Sequence, residues 1–190
     1  MDNIIFIDTE TGGTNPEKHS LFSVGLVAWN KFDGIIDTLE VYIKCETYQF
    51  TKEAVKINKF DKEQHEKRAI SPNDAIDAIR SFCSKNTGKT EEIQLAGHNT
   101  QFDVSFLKKL FSDQNRSLSR LFSHRIIDTY SVLKYLVDAG RIELDPISSA
   151  NAFKTFKISV EERHSALGDA IATAKLYGEL IKIAHSSTEV

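Results

Sequence analysis

Apolar positions along this chain come in two patterns, short β-branched runs and helical stripes, and their order predicts an architecture. Ile4 to Ile7 is a four-residue apolar run without alternation, as expected of a strand covered on both faces. Thr14 to Ser20 is polar, contains Asn15-Pro16 and predicts a loop. Leu21 to Trp29 and Ile35 to Lys44 alternate or run apolar around Asn30-Lys31-Phe32-Asp33-Gly34, which predicts a hairpin and, with the first strand, an antiparallel three-stranded start. Thr51 to Asn58 and the charged Lys59 to Arg68 pattern weakly, as helix or loop.

The second half changes period. Ser71-Pro72-Asn73-Asp74 is a helix start, with Ser as N-cap, Pro at the first helical position and an acid at the third; Ala75, Ile76, Ile79, Phe82 and Cys83 form its apolar stripe. Thr87-Gly88-Lys89-Thr90 lacks the leading glycine and preceding strand of a phosphate-binding loop. Ile93 to Ala96 reads as a strand ending in Gly97-His98-Asn99, before a helix that turns Phe102, Phe106, Leu107, Leu110 and Phe111 inward. Arg125 to Ile127 is another short strand closed by Asp128-Thr129, and Tyr130 to Ala139 a helix stopped by Gly140. Ser148 to Phe156 and His164 to Ala184 are the remaining helices. Strand, small turn and helix in that order make parallel α/β units. The fold class is therefore α/β, with a mixed sheet of three antiparallel and then parallel strands, flanked by helices.

Composition narrows this little. A chain of 190 residues, 41% hydrophobic and with 12 Phe, buries a sizeable core, so residues 1–190 are expected to form one domain, without repeat or linker. No stretch is long and apolar enough to span a bilayer, and the start Met1-Asp2-Asn3 lacks the features of a signal peptide. Cys45 and Cys83 lie far apart without metal-ligand spacing and read as reduced thiols, pointing to a cytoplasmic protein.

The candidate chemistry begins where the first apolar run ends. Asp8 and Glu10 lie two apart at the carboxyl end of the first strand and project to one side, where open α/β sheets place ligands. Two like charges there repel and lose water, and a hard cation such as Mg²⁺ or Mn²⁺ relieves both penalties. Gly12-Gly13 lets backbone approach a ligand or turn sharply. Asp103 opens an otherwise apolar helix, which suits either a dipole contact or the same crevice. Asp169, between Gly168 and Ala170, needs a partner if buried, and His164 precedes it by five residues. The net charge of −3 excludes a strongly basic, tight nonspecific nucleic-acid binder. With four carboxylates committed to cations, the rest of the surface is about neutral, and an enzyme that meets phosphates through metal stays open.

Three segments now resemble a known family. Phe6-Ile7-Asp8-Thr9-Glu10-Thr11-Gly12-Gly13, Gly97-His98-Asn99-Thr100-Gln101-Phe102-Asp103 and His164-Ser165-Ala166-Leu167-Gly168-Asp169-Ala170 resemble the three exonuclease motifs of the DnaQ-like superfamily, the last with the His-x-x-x-x-Asp spacing of its DEDDh branch. The resemblance covers nearly the whole chain in the right order. It implies a ribonuclease H-like fold, two divalent metal ions and 3′-5′ hydrolysis of a nucleic acid to nucleoside monophosphates. By position Asp8, Glu10, Asp103 and Asp169 match the metal ligands, and His164 the general base. Backbone over Thr9, Thr11 and Gly12, with His98 and Asn99, is expected to hold the terminal nucleotide. The family's apolar wedge after the first motif is absent at Thr14, so Phe102 or Phe106 is expected to stack on bases instead. Asp128 is expected to support the site or cap a helix. The implied substrate is a single-stranded or frayed 3′ end of DNA or RNA, with a DNA polymerase as a further candidate partner. A module that keeps the fold without cutting is the alternative.

Overall fold

The computed structural model describes residues 3–160 and 164–185. Strands β1 (Ile4–Thr11), β2 (Leu21–Asn30) and β3 (Gly34–Tyr42) lead into helices α1 (Lys52–Asn58), α2 (Lys62–Arg68) and α3 (Pro72–Thr87). They are followed by β4 (Ile93–Gly97), α4 (Gln101–Asp113), β5 (Phe122–Asp128), α5 (Thr129–Asp138), α6 (Ser149–Thr155) and α7 (Ala166–His185). The five-stranded sheet has the order β3-β2-β1-β4-β5; β1, β2 and β3 pair antiparallel, and β4 joins both β1 and β5 in parallel. This is the mixed sheet that the patterning predicts.

The alternation of β1 assigns the two faces. Ile5 and Ile7 point toward α3 and α4, into the core containing Ile76, Ile79, Phe106, Leu107 and Phe111. Phe6 points to the opposite face, against Val27, Trp29, Ala170 and Ala174, where α7 lies. From Ile5 to Ile7 both faces of β1 are buried, which explains the unbroken apolar run. Asp8 and Glu10 continue the α7 face by the strand's two-residue period.

Helix α7 comes this close because of Gly25. In the sheet register Asp8 pairs with Gly25, and a Cβ on Gly25 would stand 2.3 Å from the carbonyl carbon and oxygen of Ala166. The missing side chain forms a notch into which the first turn of α7 docks.

The caps follow the sequence reading. Ser71 caps α3 by accepting from the Asp74 N–H, and Gly88 ends that helix in left-handed geometry at φ +67°. Asp128 caps α5 through the Tyr130 N–H, and Gly140 follows it at φ +64°. The weakly patterned segment from Thr51 to Arg68 is two short helices, capped by Thr51 and Asp61. Their register is imposed from outside: Phe22 stacks on Phe60 at 3.9 Å, and His65 Nε2 bonds the Ile43 carbonyl. Cys45 and Cys83 are both free thiols. Among the described residues no helix is long and apolar enough to cross a membrane.

Candidate active site

The acids of the first and third motifs meet where β1 passes under the start of α7. Ser165 closes the first turn of that helix: its hydroxyl accepts from the Gly168 N–H at 3.0 Å and its carbonyl from the Asp169 N–H at 3.0 Å. With the turn fixed and seated over Gly25, Asp169 faces Asp8 and Glu10, and one carboxylate oxygen of each lies within 4.8 Å of the others.

Asp103 stands beside this group, on the other side of the strand's edge. It is 3% exposed in the first turn of α4, and Thr9 Oγ1 donates to its Oδ1 at 2.7 Å. Thr9 alternates with Asp8 and Glu10 along the strand, so three of the four expected ligands form the close group and the fourth, Asp103, is anchored through the residue between the two β1 acids. The charge of Asp103 is still felt at Glu10.

The electrostatics match the crowding. Burial pushes the Glu10 carboxyl up to about 8; the charge of Asp169 adds to this, while a hydrogen bond from the Asn58 side chain pulls it down, and Asp103 and Glu40 contribute in the upward direction. Burial also raises Asp103, with Thr9 and backbone N–H bonds opposing and Asp128 adding. Oxygen-only donors at close range, with protonation favoured where charge is crowded, fit a hard divalent cation.

This has a measurable consequence for stability. Because the folded-state pKa of Glu10 lies above its ordinary 4.5, its contribution is greatest at low pH and is lost as pH rises through about 8. One pKa unit corresponds to about 1.4 kcal/mol, and 1 kcal/mol moves the Tm of a chain this size by roughly 2–4 °C. The Tm of metal-free protein should therefore fall by several degrees between pH 6 and pH 9. Mg²⁺ should restore it, more at pH 9 than at pH 6. Glu10→Gln should flatten both responses in thermal-shift measurements, and identical curves for the two proteins would remove Glu10 from the cation site.

His164 lies just before α7 in left-handed backbone, φ +67°, uncommon for a residue with a Cβ and a feature that clusters at functional sites. It shares with Glu10 a cavity of about 190 Å³. The second motif forms a laced turn: His98 Nδ1 lies 3.0 Å from Thr129 Oγ1, and the Asn99 N–H donates to Asp128 Oδ1 at 3.0 Å. Asp128 thus supports the turn and caps α5 at once, leaving Asn99 exposed at φ +58°.

Several expected substrate contacts are committed elsewhere. Phe106 is 2% exposed and packs in the core with its ring centre 5.2 Å from that of Phe102, so it has no face for a base. Phe102 itself is half-buried. Gly12 is buried; its N–H donates to the Ser20 carbonyl, its own carbonyl accepts from the Thr51 N–H, and a Cβ would lie 2.1 Å from the Gln49 carbonyl oxygen. The glycine therefore admits another stretch of this chain, not a ligand. Thr11 is also buried, its hydroxyl on the Gly13 carbonyl and its carbonyl accepting from Asn58 Nδ2. Asn58 is a site neighbour that sequence reasoning missed, because it sits in a segment with weak patterning of its own.

Residues 5–177 match the exonuclease family model RNase_T. The Ribonuclease T of Yersinia enterocolitica is 30% identical over 188 residues, covering 93% of this chain and 83% of that protein. A PolC-type DNA polymerase III of Clostridium perfringens is 26% identical over 180 residues, covering 92% of this chain, which spans only 11% of that polymerase's length. Among solved structures, E. coli Exonuclease I in complex with a dT13 oligonucleotide superposes with a TM-score of 0.83 at 16% identity, over 98% of this chain and 42% of that one. The nuclease domain of 3′hExo, a DEDDh family member bound to rAMP, gives 0.77 at 16% identity, over 95% of this chain and 92% of that one. These likenesses bear out the ribonuclease H-like sheet, and the match along most of its length shows that this chain belongs to the RNase T exonuclease family.

Proposed function

We propose that the protein is a metal-dependent 3′-5′ exonuclease that removes nucleoside 5′-monophosphates from the 3′ end of single-stranded or frayed DNA or RNA. The observation behind this reading is the meeting of Asp8, Glu10 and Asp169 within 4.8 Å. Those three carboxylates, with Asp103 beside them, would hold two Mg²⁺ or Mn²⁺ ions. When bound, such ions offset charge on the attacking and departing oxygens and acidify the attacking water. His164 takes the proton from that water as general base. Asp103, held by Thr9, keeps negative charge at the edge of the group.

The terminal nucleotide lies over the carboxyl end of β1, flanked by Asn99 and His98. Phe50, 50% exposed beside Gly12, and Ile57, 57% exposed one residue before Asn58, offer apolar surface for a base there. The DNA-bound and rAMP-bound neighbours support a single-stranded substrate, and the PolC-type relative supports a polymerase as partner. A silent module of the same fold would leave the crowding of like charges without a compensating role.

Incubation with single-stranded DNA and RNA, labelled at either end, tests the proposal. A ladder shortening from the 3′ end, nucleoside monophosphate as product and complete inhibition by EDTA are expected. No release from either polymer with Mg²⁺ or Mn²⁺ would overturn it.

A further inference from the structure

The sheet register places a fifth carboxylate in line with the site. Asp8 pairs with Gly25 and Gly25 with Glu40, so Asp8 and Glu40 share one face on either side of the Gly25 notch. The first turn of α7 lies in that notch, with Asp8 on one flank and Glu40 on the other. In the next row Glu10, Ser23 and Tyr42 align in the same way. His164, Glu10 and Glu40 all line a cavity between the start of α7 and the α1–α2 segment.

Glu40 is held by one oxygen only. Its Oε2 accepts from Tyr42 Oη at 2.8 Å and from Arg68 Nη2 at 3.3 Å, and the Arg68 guanidinium lies 3.8 Å over the Tyr42 ring. The side chain is 12% exposed, and its other oxygen, Oε1, is buried without a hydrogen-bond partner. A carboxylate oxygen in that state is costly to keep and calls for a donor. Two of the donors on the wall are already engaged, His65 Nε2 on the Ile43 carbonyl and Asn58 Nδ2 on the Thr11 carbonyl. His164 brings two ring nitrogens to the same cavity, and only one is needed to take a proton from water.

We infer that Glu40 is a positioning residue for His164: its spare carboxylate oxygen receives one imidazole N–H as the other ring nitrogen takes the proton from the attacking water. A carboxylate so placed selects the tautomer and holds the ring plane, as partners of catalytic and metal-bound histidines do. The inference rests on His164 acting as the base.

A double-mutant cycle separates this from a purely structural role. Glu40→Gln keeps the shape and an acceptor for Tyr42 and Arg68, and should lower kcat about 10- to 100-fold with KM and Mg²⁺ dependence unchanged. In a His164→Ala background the same substitution should have no further effect. Arg68→Gln, which breaks the ion pair from its other end, should leave kcat within about twofold. Undiminished kcat in Glu40→Gln, an equal loss in both backgrounds, or a matching loss in Arg68→Gln overturns the positioning role. A His164→Ala variant with full activity would overturn the base assignment itself.

Discussion

Asp8→Ala should lower nucleotide release by at least about three orders of magnitude while leaving the protein folded. Asp8 lies in the three-carboxylate group, and cation stabilisation of a phosphoryl transition state is worth several kcal/mol, each 1.4 of which is tenfold in rate. The fold survives because β1 is held by backbone pairing to β2 and β4 and by the packing of Ile5, Phe6 and Ile7, none of which involves the Asp8 side chain. Removing one of three crowded like charges should leave the Tm of metal-free protein equal or higher. Single-turnover release together with a thermal melt checks both halves. Full turnover in the variant would remove the cation site from this part of the molecule.

His164→Ala should show a different signature: kcat reduced about 10²- to 10⁴-fold, with KM little changed. A general base acts in the transition state, so its loss does not weaken ground-state binding. The residue lies before α7, outside the buried face of that helix, and the Ser165 cap is untouched by the change. Steady-state kinetics over a range of oligonucleotide concentrations makes the distinction. A rise in KM at constant kcat would assign His164 to substrate binding.

The two variants probe different links of one chain of causes. Asp8 is placed by strand alternation, a local property, whereas the relation of His164 and Asp169 to Asp8 depends on how α7 docks over Gly25. The same docking creates the cavity that Glu40 borders, so the catalytic geometry and its proposed support share one origin.

Local chemistry made much of this legible in advance. Ser71-Pro72, Asp128 and Gly140 mark helix ends because caps and left-handed turns depend on only a few neighbouring residues. The unbroken apolar run of Ile4 to Ile7 announces a strand buried on both faces, and a two-residue period puts Asp8 and Glu10 on one side of it. The positions of Asp103, Asp169 and His164 in their motifs pointed to the same crevice.

Contacts between distant segments decided the rest. Gly12 looks like a ligand contact in sequence, yet the chain at Gln49 crosses it; Phe106 looks available for stacking, yet α4 turns it into the core. Helices α1 and α2 have little pattern of their own because Phe22 and Ile43, far off in sequence, supply their packing partners. Sequence by itself thus determined the order of elements and the strand that bears the first two acids, since each depends on neighbours within a few residues, and it pointed to the family through three short motifs in a fixed order along the chain. Tertiary structure alone decided that Asp103 is bound to Thr9 outside the three-acid group, that Gly25 seats α7, and that Glu40 faces the cavity of His164, because side chains that meet across a sheet leave no spacing signal along the chain.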